Sequence, residues 1–151
     1  MEEFQRDLSE NLTAIEGARV ALLQQLRSLS DDDLRSTRRG GWSVQEVLRH
    51  LIDAEVSYTK VLGFLRSRPV ELANSSDDDV ASSQAAVGAL ERVRERLLAA
   101  LEGVDEDAFY DVRSLGSSQY SVMSVLENIA DHDHEHVGQI AKTLASARTN
   151  S

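Results

Sequence analysis

The sequence has no cysteine, one proline and eight glycines among its 151 residues. Without cysteine there are no disulfides, thiolate metal ligands or thiol nucleophile of the chain's own, so any metal ion must be bound by nitrogen and oxygen atoms. The longest uninterrupted apolar run, residues 97–101, is far shorter than the ~20 residues of a membrane-spanning helix. The acidic N-terminus is not followed by an apolar stretch, so we expect no secretory signal and a cytoplasmic location.

Positive charge is also scarce, with 16 Lys and Arg against 26 Asp and Glu and a net charge of −10. A negative field repels phosphate backbones, which argues against DNA or RNA as a partner. The length fits one domain, residues 1–151, with a substantial core. We therefore expect a soluble acidic protein that binds neither nucleic acid nor a membrane.

Four long stretches carry apolar residues at every third or fourth position, the spacing of an amphipathic helix. They predict helices over residues 4–29, 43–65, 79–101 and 121–147. The segments between them are polar or of mixed composition, with no convincing strand. This pattern predicts an all-α fold, a four-helix bundle. Because the connections before the third and fourth helices are about 12 and 17 residues long, one could be a crossover, and periodicity leaves the topology open.

Two of the predicted helices begin with one pattern, aromatic-Ser-Val-x-x-Val-Leu, at residues 42–48 and 120–126. The serine is a good N-cap, and the aromatic residue before it can form a hydrophobic staple. Glu46 completes a capping box at the first helix start, whereas Ser124 is not expected to do so at the second. Common helix-start chemistry and an internal repeat both explain the pattern.

Three of the four histidines lie within residues 131–136. On a helix, His132 and His136 share one face, and that face carries the apolar stripe. Burying unpaired imidazoles is costly, and a metal ion bound between the two would satisfy both. His134 faces away and is expected on the surface. His50, beside the apolar stripe of the second helix, is the third candidate ligand, although it requires a stagger of about 10 Å between the two helices.

Polar neighbours of these histidines are candidates for orienting the rings. Asp53 and Gln139 each lie three residues after a candidate ligand, within reach of it. Asp131 and Glu135 are further candidates but are better interpreted as solvated carboxylates, and no carboxylate is identified as a general base. The alternative for each histidine is a core side chain satisfied by a carbonyl or carboxylate group.

Two further groups of residues are ambiguous in the sequence. Ser57 and Tyr58 follow His50 by two turns and could line a pocket, but Tyr58 is better interpreted as core packing. Arg35, Arg38 and Arg39 form a small basic patch, which is typical of a solvated loop; contact with an acidic thiol cofactor is the alternative.

The arrangement His50…His132-x-x-x-His136-x-x-Gln139, with the helix start at residues 42–48, resembles the DinB/YfiT-like family of damage-inducible bundles. The resemblance covers most of the chain. It implies an up-down-down-up four-helix bundle, a divalent metal ion bound by the three histidines and, frequently, a homodimer. Zinc, nickel and iron all suit imidazole ligands, so the identity of the metal stays open.

Several relatives in this family are metal-dependent transferases or isomerases that use low-molecular-weight thiols. Three histidine ligands leave coordination positions open, as in catalytic sites. We therefore expect a metal-dependent transferase, isomerase or hydrolase acting on a small substrate. One alternative is a non-catalytic metal-binding or stress-response bundle that acts through dimerisation or a protein partner. Another is a purely structural bundle whose histidines belong to the core.

Overall fold

The computed structural model describes residues 2–38 and 40–149, in which four long helices dominate. The long helices are α1 (Glu2–Arg27), α3 (Val44–Leu65), α4 (Ser83–Leu101) and α6 (Val122–Thr149). The connections hold the five-residue helices α2 (Asp31–Arg35) and α5 (Glu106–Tyr110), a 3₁₀ turn (Asp77–Val80), and the strands β1 (Arg113–Leu115) and β2 (Ser118–Tyr120). The predicted four-helix bundle is confirmed.

The connections are where sequence and structure differ. Strands β1 and β2 form an antiparallel hairpin in a segment for which no strand was predicted. Each strand has only three residues, mostly exposed, so there is no apolar alternation to mark it. The predicted third helix also begins too early, because residues 77–80 form the 3₁₀ turn and α4 starts at Ser83, after the N-cap Ser82.

Both shared helix starts are capped as the sequence suggests, and one more completely. At α3, Ser43 Oγ accepts from the backbone N–H of Glu46, and Glu46 Oε1 accepts from the backbone N–H of Ser43. At α6, Ser121 Oγ accepts from the N–H of Ser124. The expectation that Ser124 does not return this bond is wrong, because its Oγ accepts from the N–H of Ser121 at 2.9 Å. A serine hydroxyl therefore replaces the usual carboxylate.

The long helices enclose a core in which α1 packs against α4 and α6, and α3 packs against the same two helices. Helices α1 and α3 therefore lie diagonally opposite. Buried residues form two apolar clusters, and on α6 one cluster ends at Ala130 while the other begins with Val137. Residues 131–136, which carry three histidines, lie between them. The up-down-down-up course of the chain stays a prediction.

No helix in residues 2–38 and 40–149 is both long enough and apolar enough to cross a membrane.

Candidate metal centre

The three histidines predicted as ligands converge at one point. The Nε2 atom of His132 lies 3.0 Å from Nε2 of His50 and 3.0 Å from Nε2 of His136. One ligating atom from each of the three lies within 4.8 Å of the other two. His50 comes from α3 and the other two from α6, so the packing of these helices assembles the cluster. The axial offset between the two helices, which the sequence positions of the histidines require, does not keep the three rings apart.

The cluster is partly sheltered from solvent. His136 is buried, with 6% of its surface exposed, whereas His50 and His132 are half-buried. The three rings pack against one another, with centroid distances of 4.3 to 4.9 Å. His134 is exposed, as expected from its position on the helix. One side of the cluster therefore faces the core and the other remains accessible.

Gln139 fixes the orientation and tautomer of His136. The Nδ1 atom of His136 lies 2.5 Å from Oε1 of Gln139. An amide oxygen only accepts hydrogen bonds, so Nδ1 carries the proton and donates it. The lone pair of Nε2 is then free and points toward the other histidines, which is the form a metal ligand requires. Of the two residues expected to orient a ring, Gln139 thus reaches its histidine.

Asp53, Tyr58 and Ser57, which the sequence also suggested as neighbours of the site, form no hydrogen bond with the three histidines. Asp53 Oδ1 accepts from the backbone N–H of Ser75 at 2.6 Å, so this carboxylate caps a loop instead of holding His50. Tyr58 is half-buried and stands edge-on to His132, with ring centroids 6.2 Å apart. Ser57 is exposed. Of the residues suggested by the sequence, Gln139 is therefore the one that forms a hydrogen bond with a candidate ligand and orients its ring.

The electrostatic surroundings favour neutral imidazole rings. Burial lowers the pKa of His50, and the nearby His136 lowers it further. Burial likewise lowers the pKa of His132, with additional lowering from His136 and His50. Asp53 and Glu135 oppose the lowering of the pKa at His50, and Asp133 and Glu135 oppose it at His132, without reversing either shift. Since only a neutral imidazole can bind a metal ion, these shifts keep the ligands available at neutral pH.

The donor set and spacing fit a divalent metal ion. Bonds of ~2.0–2.1 Å place the nitrogen atoms of neighbouring ligands about 2.8–3.0 Å apart in octahedral coordination and about 3.3–3.4 Å apart in tetrahedral coordination. The two Nε2 separations of 3.0 Å agree with the octahedral value and are about 0.3 Å shorter than the tetrahedral one. All three donors are imidazole nitrogens, which suit zinc, nickel and iron.

An open cavity of about 600 Å³ leads to the histidines. His50 and His136 form part of its wall. Its other lining residues are a loop segment before α3 and one face of α6: Arg38, Gly40, Gly41, Trp42, Glu135, Gly138, Gln139 and Lys142. A small molecule in this cavity would therefore contact the candidate metal centre directly.

The structure changes or settles the interpretation of three residues that line the cavity. Trp42 was interpreted as a staple residue, yet it is 45% exposed and its ring centroid lies 5.2 Å from that of His50. Glu135 was interpreted as a solvated carboxylate, and it lines the cavity beside His136. Of the basic patch, Arg38 lines the cavity, while Arg35 is paired with Asp32. Arg39 lies outside the described residues.

A buried ion cluster next to the histidines was missed entirely. Arg19 of α1 and Arg94 of α4 contact Glu55 of α3 and Asp133 of α6. Both carboxylate side chains are 3% exposed. Asp133 lies between His132 and His136 in the sequence, so the cluster joins all four long helices at the level of the site. A helical pattern assigns charged residues to the surface by default, which is why they were not recognised.

Replacing Gln139 by Leu is expected to weaken metal binding by about 10- to 100-fold. The substitution removes the acceptor that holds the Nδ1–H of His136. A competition titration against a chromophoric chelator measures the affinity. Gln24→Leu is the matched control because Gln24 is exposed on α1. Equal affinities for the native protein and Gln139→Leu would show that this hydrogen bond has no role in binding.

The metal-free protein is expected to lose stability as the pH falls from about 7 to about 5. The pKa values of His50 and His132 are lowered in the folded state, so the unfolded chain binds more protons in this interval. The contribution of these two histidines to stability is therefore complete above the pKa that they have in the unfolded chain. It is lost as the pH falls from that value through the lower pKa that they have in the folded state. Urea unfolding across this interval measures the loss, which should shrink in a His50→Ala/His132→Ala double variant and persist in His134→Ala. An unchanged loss in the double variant would contradict the assignment.

Comparisons with known proteins agree with this fold. The family profile of the DinB superfamily matches residues 14–140, which include all three histidines. Among solved structures, TT2238, described as a four-helix bundle protein, superposes with a TM-score of 0.68 at 24% identity, covering 89% of this chain and 98% of its own. That likeness supports the fold. A search of curated proteins found no match. Because the profile covers most of its length, the chain belongs to the DinB superfamily.

Proposed function

We propose that His50, His132 and His136 bind one divalent metal ion through their Nε2 atoms, and that the protein is a metal-dependent transferase or isomerase of small molecules. A low-molecular-weight thiol is the candidate cosubstrate. The observation that carries the proposal is the convergence of three imidazole nitrogens beside an open cavity. A three-histidine site leaves coordination positions for a substrate, whereas structural sites are usually closed by four protein ligands.

A bound divalent ion would lower the pKa of a thiol or a water molecule, or polarise a carbonyl group. The chain's own residues would then position the reactants and move protons. Among the described residues that line the cavity, Glu135 is the only acidic side chain. Its position beside His50 and His136 makes it the candidate acceptor for the proton that a thiol releases. His136 is held in the ligating tautomer by Gln139.

A thioether-forming reaction with a small aryl chloride tests the transferase proposal. The thiol S–H proton passes to Glu135, a sulfur–carbon bond forms, the carbon–chlorine bond breaks, and chloride leaves. We expect turnover of 1-chloro-2,4-dinitrobenzene with 2-mercaptoethanol by zinc- or nickel-loaded protein, above the uncatalysed rate. Glu135→Gln should lower kcat by about 10²-fold with metal content unchanged. His134→Ala, which alters an exposed histidine on the same helix, should keep the native rate.

Isomerase and hydrolase versions of the proposal have separate tests. A panel of small cis-alkene acids in the presence of the thiol detects isomerisation, and a panel of small esters and amides detects hydrolysis. A protein that binds metal but turns over none of these substrates would overturn the enzymatic proposal. It would favour a non-catalytic metal-binding bundle.

A further inference from the structure

We infer that the cavity beside the three histidines selects a small organic anion, with its charged group between Arg38 and Lys142 and a flat apolar part against Trp42. The charged group is a carboxylate or a phosphate. The inference rests on the proposed function, because it takes this cavity to be the place where the substrate binds. It extends that function by naming the chemical class of the substrate.

Arg38 and Lys142 differ from most cations of the chain because they are unpaired. Within the described side chains, most arginines donate to a carboxylate or a backbone carbonyl, for example Arg49 to Asp77 and Arg66 to Ala100. Four Lys and Arg side chains have no such partner in that part of the chain, namely Arg38, Lys60, Arg68 and Lys142. Two of these four line a single cavity.

The charges that face this cavity sum to a positive value. Within the part of the cavity wall that the structure describes, Arg38 and Lys142 contribute two positive charges, and Glu135 contributes the one negative charge. The imidazole rings of His50 and His136 add none in the neutral form that metal binding requires. A divalent ion held by three neutral ligands would keep its full charge. In a chain of net charge −10, this local reversal of sign concentrates anions at the cavity.

The apolar contact is supplied by Trp42. Its side chain is 45% exposed, and it lies on the cavity wall beside His50. Gly40 and Gly138 also line the cavity, and a Cβ atom at either would meet no atom within 4 Å, so the space beside them is open. An exposed aromatic surface within a concave wall offers a stacking platform for a flat ligand. The charged and apolar features together favour an anion with a planar group.

The single tryptophan of the chain makes a direct binding test possible, because its emission reports on this cavity alone. Benzoate, phenyl phosphate and the neutral isostere benzyl alcohol are titrated into metal-free and zinc-loaded protein. We expect at least one anion to bind about fivefold or more tightly than benzyl alcohol, as two exposed ion pairs permit. Whichever of benzoate and phenyl phosphate binds more tightly shows whether the site prefers a carboxylate or a phosphate. Equal affinity for all three compounds, or binding of none of them, would overturn the inference.

Matched variants separate the inference from the proposed function. The double variant Arg38→Ala/Lys142→Ala should lose the preference for anions while its metal content stays native. Lys60→Ala is the control, since Lys60 is an exposed, unpaired lysine ten residues after His50, about 15 Å farther along α3. Anion selectivity in a protein that binds no metal would refute the metal centre alone. Metal binding without anion selectivity would refute the anion site alone.

Discussion

Substituting His132 by Ala is expected to lower the affinity for a divalent metal ion by more than about 100-fold, beyond the effect of losing a supporting hydrogen bond. His132 is the central member of the cluster, because its Nε2 atom is 3.0 Å from the Nε2 atoms of both His50 and His136. Removing it leaves two ligands on different helices. The metal content of the purified variant, measured by elemental analysis, should fall from about one ion per chain to nearly none.

His134→Ala is the control for this prediction. It removes an imidazole from the same helix, two residues away, but from an exposed position. Its metal content should equal that of the native protein. Thermal unfolding followed by circular dichroism checks that both variants fold. A folded His132→Ala protein with native metal content would mean that the metal is bound elsewhere or that the other two histidines suffice.

Substituting Glu55 by Ala is expected to lower the free energy of unfolding by about 3–5 kcal/mol, the cost of leaving buried charges without their partner. Glu55 accepts from Arg19 Nη2 at 2.5 Å, and from Arg94 Nε at 3.0 Å and Nη2 at 2.9 Å. Although burial alone lowers the pKa of Arg19, Glu55 and Asp133 raise it overall, so this guanidinium stays charged. Typical domains have only ~5–15 kcal/mol of stability, so the loss is large.

Urea unfolding measures the free energy of unfolding of Glu55→Ala and of the control variant Asp32→Ala. Asp32 also pairs with an arginine, Arg35, but both side chains are largely exposed. That pair should contribute at most about 1 kcal/mol. Similar losses in the two variants would contradict the expectation that the buried cluster contributes more to stability than an exposed ion pair.

The sequence predicts the bundle and two of the three candidate ligands because both predictions follow from spacing within a helix. The interval between His132 and His136 places the two rings on one face, and the apolar residues around them show that this face is the buried one. His50 is harder to assign, because no spacing rule relates residues on different helices. Its position beside an apolar stripe and the family resemblance identified it, and the packing of α3 against α6 brings it to the pair.

What the sequence does not predict depends on tertiary contacts. Trp42 precedes α3, so helical periodicity does not say where its ring lies. Glu135 is exposed in either interpretation, and only the fold shows that it lines a cavity. Glu55 and Asp133 are buried by arginines from distant parts of the chain, a pairing that no local pattern reveals. The candidate chemistry around the ligands therefore became visible only in the structure.

Elemental analysis of the native protein, purified without tags or chelators, tests the metal centre most directly. We predict about one divalent ion per chain, or uptake of one equivalent of zinc or nickel by protein first stripped with a chelator. His134→Ala should behave in the same way. A native protein that contains no metal and takes up neither ion would contradict the assignment of His50, His132 and His136 as ligands.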